Sequence, residues 1–180
     1  MFARTQRLLL RPVWPEDAEN LFAAVNDQGI VCNLARAPWP YSRDDAQEFA
    51  ERAQCLRYPH FLLTLPGDTG QRLIGSCGLG ETDGQHAELG YWIARAHWGQ
   101  GFATEAARAV IANAWMMGHQ RLVASHYVDN PASGAVLRRL GFRPTGVTRA
   151  RFSAGRGHEA MAQEYSLESD MAHADRPLAA

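Results

Sequence analysis

Trp98-Gly99-Gln100-Gly101-Phe102-Ala103-Thr104-Glu105 is the stretch on which the reading of this chain turns. Two glycines one residue apart lead into a pattern in which Ala107, Val110, Ile111, Ala114 and Trp115 recur at helical spacing. That stripe predicts an amphipathic helix, and Gly118 supplies its end. Glycine adopts backbone angles closed to other residues and lets main-chain N–H groups approach a ligand. At a helix start, free N–H groups and the positive end of the dipole converge on one point, which is a seat for phosphate. A tight turn before a helix uses the same Gly-x-Gly, so the surrounding chain has to decide between the two.

Before the loop, Phe61 to Leu65, Leu73 to Leu79 and Glu88-Leu89-Gly90-Tyr91-Trp92-Ile93 read as three strands. The short turns Pro66-Gly67-Asp68-Thr69-Gly70 and Asp83-Gly84 join them into an antiparallel meander. After the loop helix, Leu122 to Val128 reads as a strand, and Asn130-Pro131 gives an N-cap and a first-turn proline. The helix so begun ends at Leu140-Gly141-Phe142, with Gly141 as the left-handed cap. Phe142 to Arg149 and Ala160 to Leu167 then flank a polar hairpin, Ser153 to His158. At the other end, Leu8-Leu9-Leu10 is a buried strand closed by Pro12, and a first helix runs from Pro15 to about Asp27. A segment rich in breakers, including Pro38-Trp39-Pro40-Tyr41, precedes a second helix. That helix is capped by Ser42, with Asp45 three residues on and a stripe of Ala46, Phe49, Ala50 and Ala53; Tyr58-Pro59 closes it. Residues 1–168 form one domain, and the small, polar tail 169–180 is expected to be disordered.

Composition narrows the setting. Charged residues make up 21% of the 180, with a net charge of −1, so no global field points to nucleic acid or an anionic membrane. Three scattered cysteines give neither a disulfide framework nor a metal cluster, and the seven histidines show no ligand spacing. The N-terminus lacks a signal-peptide core and no apolar run could span a bilayer, so a cytoplasmic setting is expected.

The order strand, two helices, meander, Gly-x-Gly loop, helix, strand, helix, hairpin resembles the GNAT superfamily of acetyl-CoA-dependent N-acetyltransferases. Within it the chain is similar to the RimJ/RimL branch of ribosomal-protein N-terminal acetyltransferases. Four pieces carry this over residues 5 to 168: Arg7-Leu8-Leu9-Leu10-Arg11, Glu88-Leu89-Gly90-Tyr91-Trp92-Ile93, the glycine loop, and Asn130-Pro131-Ala132-Ser133 leading to Leu140-Gly141-Phe142. The superfamily loop is written Q/R-x-x-G-x-G/A; Gly101 and Ala103 match it, while Trp98 stands at the Gln/Arg position. The resemblance implies a single α/β (α+β) domain with a mostly antiparallel, splayed sheet of about six or seven strands and about four helices.

It also implies a ligand and roles. Acetyl-CoA is the co-substrate, with no metal, and its pyrophosphate lies on the amides of Gly99, Gln100, Gly101, Phe102, Ala103 and Thr104. Trp92, Ile93 and Arg95 belong to a strand whose free backbone groups pair with the pantetheine arm. Ser133 is the implied proton donor to the departing thiolate, of pKa about 8.5, and Asn130 positions the cofactor. Both residues are equally accounted for as a helix cap and its partner. Other branches place a tyrosine seven residues after the asparagine, and here that residue is Leu137. Glu88 is the expected base, with Glu81 nearby, and either also reads as a strand-end carboxylate. Trp39 and Tyr41 lie in the loop that lines the acceptor cleft, or are exposed turn aromatics. The acceptor is a small amine or a protein N-terminus, and the molecule a monomer or homodimer. A non-catalytic acyl-CoA-binding module on the same fold is the alternative.

Overall fold

A computed structural model describes residues 1–52, 54–67, 70–82 and 86–169 of the chain. Its N-terminal segment folds back on itself as β1 (Ala3–Arg4) and β2 (Leu9–Arg11), so that Leu8 and Leu10 are buried. Pro15–Asp17 forms one 3-10 turn, and α1 (Ala18–Val25) follows directly. Asp17 accepts Trp14 N–H at 2.9 Å and both guanidinium nitrogens of Arg11, at 2.6 and 2.7 Å, so its carboxylate locks the strand to the turn. The first helix stops at Val25, short of the expected Asp27, because Asp27 caps a further turn, α2 (Gln28–Val31). α3 (Arg43–Glu51) has the expected Ser42–Asp45 capping box; Ala53 lies outside the described residues.

The meander forms as β3 (His60–Gly67), β4 (Gly70–Glu81) and β5 (Ala87–Ile93). The expected turn residues Asp68-Thr69 and Asp83-Gly84 lie outside the described residues. α4 (Phe102–Met116) buries the predicted stripe, and Gly118 follows it at φ 86°. β6 (Arg121–Tyr127), α5 (Pro131–Arg139), β7 (Arg143–Ser153) and β8 (His158–Glu168) complete the chain. The tail proposed from residue 169 lies outside the description from 170 onward, while Ser169 N–H donates to Gln120 O at 2.9 Å.

These elements make one eight-stranded sheet in the order β1-β2-β3-β4-β5-β6-β8-β7, with five helices. Both counts exceed the expected ones because β1 is two residues and α2 four, too short to show a period. β7 is four residues longer at its C-terminal end than expected, since nearly every position along it is exposed and neither face shows an apolar alternation. One core lies between the sheet and α4, the other beneath α1, α2 and α3. No helix among the described residues is long and apolar enough to cross a membrane.

The one parallel contact decides where a site can form. β5 pairs with β6 only at Ala87 and Glu88, and beyond them the two strands diverge. Ala94 N–H donates to Ile74 O at 2.8 Å, which with the β4 register turns the N–H and C=O groups of Tyr91 and Ile93 away from β4. Those groups edge the gap between β5 and β6.

Candidate active site

A cavity of about 410 Å³ fills that gap and runs to the start of α4. Gly99, Gly101, Phe102, Ala103 and Thr104 line one end, Trp92 and Ile93 the strand side, and Asn130 and Ser133 the α5 side. Gly99 and Gly101 take left-handed angles, φ 73° and 81°, which bend the loop into the start of α4. Asp27, Ser42 and Asn130 cap α2, α3 and α5 with side-chain oxygens, whereas α4, the longest helix, begins at Gly101 with no side-chain cap. The amides of its first turn therefore have no side-chain acceptor, and Phe102, Ala103 and Thr104 line the cavity.

The loop is held from both sides. Trp98 Nε1 donates to Ile93 O at 2.6 Å, tying the loop to the end of β5; Trp98 at the Gln/Arg position of the motif thus has a structural task. Arg7 donates to Gln100 O at 3.0 Å and pairs with Glu105, which also accepts from Thr5 at 2.6 Å. Burial acts to raise the Glu105 carboxyl, and the Thr5 and Arg7 contacts outweigh it and leave it below the usual range. Two residues expected at the cofactor stand aside from the lining. Arg95 is committed to Asp27, with both contacts at 2.5 Å, and the Gln100 amide donates to Ala96 O at 3.2 Å.

The site's chemistry gathers at the middle of β5. Ser133 N–H donates to Asn130 Oδ1 at 3.2 Å, so the cap is real, and it leaves the Ser133 hydroxyl available. That hydroxyl lies 2.8 Å from the Tyr91 hydroxyl, which also donates to Ser133 O at 3.1 Å. Burial holds the Tyr91 phenol well above its ordinary value, against the Ser133 contact that lowers it, so the pair is protonated at neutral pH. Sequence reasoning passed over Tyr91 because it looked only for a tyrosine at 137; Leu137 is a core residue, 1% exposed. It also passed over His126 and Arg139, which line the same cavity. The alternation of β6, which turns His126 to the same face as Leu122 and Ala124, could have found the first.

Across β5 lies a second cavity, about 500 Å³, that shares Leu34, Tyr91 and Trp92 with the first. Tyr41 and Glu88 line it, whereas Trp39 lines a separate, more open pocket of about 420 Å³ beside Arg156. Burial, and then the Asp45 charge, push the Tyr41 phenol up to about 12. Glu88 accepts Ser125 Oγ at 3.0 Å, and both its oxygens engage the Arg151 guanidinium. Burial works to raise this carboxyl, and Arg151 overcomes it and holds it below the usual range. His60 is pushed down, first by burial and then by Arg36 and Arg52, so its ring is neutral. The turn between β7 and β8 closes this region from outside. Ala154 N–H donates to Ala35 O at 3.0 Å, Ser153 Oγ to Leu34 O at 3.0 Å and Arg156 Nε to Cys32 O at 2.7 Å. Among the described residues no group of three or more His, Cys, Asp or Glu could hold a metal ion.

A splayed β5–β6 gap leading to an uncapped, glycine-started helix is what the resemblance implies, and the comparisons with known proteins agree. The acetyltransferase (GNAT) domain profile matches residues 7–143. The chain belongs to the GNAT acetyltransferases. It is 32% identical over 153 residues to the uncharacterized N-acetyltransferase YoaA of Bacillus subtilis, covering 81% of this chain and 84% of that protein. A shorter stretch, 57 residues or 31% of this chain and 32% of the relative, is 42% identical to the ribosomal-protein-serine acetyltransferase of Escherichia coli. Among solved structures, a GNAT-family acetyltransferase from Bacillus anthracis aligns with a TM-score of 0.79 at 22% identity, over 93% of this chain and 98% of that one. RimL, a ribosomal L7/L12 α-N-protein acetyltransferase solved with coenzyme A, aligns with a TM-score of 0.77 at 21% identity, over 94% and 99%.

Proposed function

We propose that this GNAT protein moves the acetyl group of acetyl-CoA to a primary amine by direct attack in a ternary complex. The observation that carries the reading is the Ser133–Tyr91 hydroxyl pair, 2.8 Å apart, at the point where the two cavities share a wall. The first-turn amides of α4 bind the pyrophosphate, and the outward N–H and C=O of Tyr91 and the N–H of Ile93 hold the pantetheine arm. An N–H on that edge stabilises charge developing on the thioester oxygen, in the manner of an oxyanion donor. The amine enters from the second cavity and attacks past Tyr91. Ser133 then gives its proton to the departing thiolate and recovers one through Tyr91. Asn130 fixes Ser133 by capping α5.

Glu88 takes a different part from the free base expected of it. A carboxylate held by a guanidinium on both oxygens is a weak proton acceptor. We therefore assign the amine's proton to water, and Glu88 to holding Arg151 on the cavity wall. The hydroxyl pair favours catalysis over a module that only binds acyl-CoA. The 57-residue similarity to the ribosomal-protein-serine acetyltransferase of Escherichia coli supports a protein N-terminus as one acceptor to try, with small amines as others.

Calorimetric titration of coenzyme A into wild type and Ala103→Asp tests the pyrophosphate seat. Aspartate in a first helical turn suits the dipole, a melting curve checks that this partly buried position tolerates it, and its charge repels a diphosphate. At least tenfold weaker binding is expected, and equal affinity removes the assignment. Thiol release from acetyl-CoA by Ser133→Ala, expected to be at least a hundredfold slower, tests the proton donor.

A further inference from the structure

The face of the sheet that carries Glu88 and Trp92 is bare where a core face would hold side chains. Register sets Ser76 beside Trp92, Gly78 beside Gly90 and Gly80 beside Glu88, with His60 on the far side of Gly78. Moving outward from the Ser76–Trp92 row, the next row across β3, β4 and β5 therefore reads His60, Gly78, Gly90. None of Gly78, Gly80 and Gly90 has a positive φ, so no turn requires them to be glycine. What they contribute is the missing Cβ. At Gly78 a Cβ would stand 2.6 Å from His60 Nδ1, 2.7 Å from Pro59 O and 2.8 Å from His60 Cα, so Pro59 and His60 already cover this position and form the edge of the bare area. At Gly90 a Cβ would meet nothing within 4 Å, and at Gly80 only Glu88 O at 3.9 Å. These two expose bare peptide to the 500 Å³ cavity.

The bare floor spans about 4.8 Å between strands and about 7 Å along two residues, the footprint of one planar ring. Its walls are ring edges and a fixed ion pair. Phe49 meets His60 edge-on, 6.3 Å between centroids at 82°, Trp92 and Tyr41 stand at the inner end, and Glu88 with Arg151 at the other. Peptide planes below and aromatic edges around suit a π-system more than a branched aliphatic group. Gly90 adjoins Tyr91, which lines both cavities, so a ring on this floor with a short linker directs its amine toward the wall the two cavities share.

We propose that the floor of Gly80 and Gly90, edged by His60, seats a planar aromatic or heteroaromatic ring joined by a short linker to the acceptor's primary amine, with Gly90 setting that preference. The inference rests on the acetyl-transfer reading above. Its test compares 2-phenylethylamine with n-butylamine in thiol release from acetyl-CoA. Wild type is expected to show at least tenfold higher kcat/KM for the ring-bearing amine. Gly90→Val places its side chain in open space on a strand, so the fold holds, checked by its melting curve, and the ratio falls at least tenfold. A wild-type ratio near one, or a ratio that Gly90→Val leaves within twofold, overturns the proposal. Saturation-transfer NMR of 2-phenylethylamine, recorded with and without coenzyme A, should show ring-proton contact in wild type and its loss in Gly90→Val; no contact in wild type also overturns it. Calorimetry with coenzyme A stands apart: ring contact without coenzyme A binding would sink the acetyl-transfer reading and leave the ring site standing.

Discussion

Tyr91→Phe isolates a single oxygen atom. The ring stays, so packing along β5 is kept, and what goes is the hydroxyl that lies 2.8 Å from Ser133 Oγ and donates to Ser133 O at 3.1 Å. Two hydrogen bonds at about 0.5–1.5 kcal/mol each make a stability loss of about 1–3 kcal/mol. The catalytic loss follows from Ser133. A positioned proton donor is worth about 10²–10⁴ in rate, and Ser133 without its partner keeps the proton but loses its orientation and its resupply. A fall in kcat of about 10- to 100-fold is expected, or about 1.4–2.7 kcal/mol of barrier, with KM for acetyl-CoA moved less than threefold. Stopped-flow thiol release gives both constants. Because the two hydroxyls act as one unit, Tyr91→Phe added to Ser133→Ala should slow the enzyme little further. Independent, multiplying effects would refute the shared proton path, as would a change confined to KM.

Three further outcomes are expected. Asp17→Asn leaves the Arg11 guanidinium, 8% exposed, without its charge partner, and urea unfolding should show a loss of about 3–5 kcal/mol. Gly134→Ala sets a Cβ 2.5 Å from His126 Nε2 and should push α5 from β6. That overpacking costs about 1–3 kcal/mol and should weaken coenzyme A binding in calorimetry. The Glu88 carboxyl is held below its ordinary 4.5, so its pairing stabilises the fold above that pH and fades as pH falls through the lower folded value. Glu88→Gln should accordingly lower the melting temperature at pH 6, with a gap to wild type that narrows below about pH 4; a constant gap would contradict the pairing.

How far the residues alone reached depended on whether a signal was periodic. The α4 stripe of Ala107, Val110, Ile111 and Ala114, the Ser42 and Asn130 caps and the glycine at 141 are local patterns, and each was legible. β1 and α2 are too short to carry a period, and β7 is too exposed to show an alternation. The site divides in the same way. Gly99 to Thr104 could be read because a loop before a helix is local in the chain. Tyr91 and Ser133 are 42 residues apart, and their meeting depends on β5 and β6 diverging after one short parallel contact. Arg95 and Glu88 show the converse. Their neighbours in sequence place them at the cleft, and distant partners, Asp27 and Arg151, take up their charges.

The turn between β7 and β8 bears on how this molecule is made. Its bonds to Cys32, Leu34 and Ala35 join residues about 120 apart, among the longest loops the chain has to close. Closing such loops is slow compared with local pairing. On the ribosome, the meander and the glycine-started helix emerge and can associate while residues 153–156 are still unsynthesised. Leu34, part of the wall common to both cavities, is fastened only after that turn arrives. During that interval neither of the two cavities has its common wall fixed.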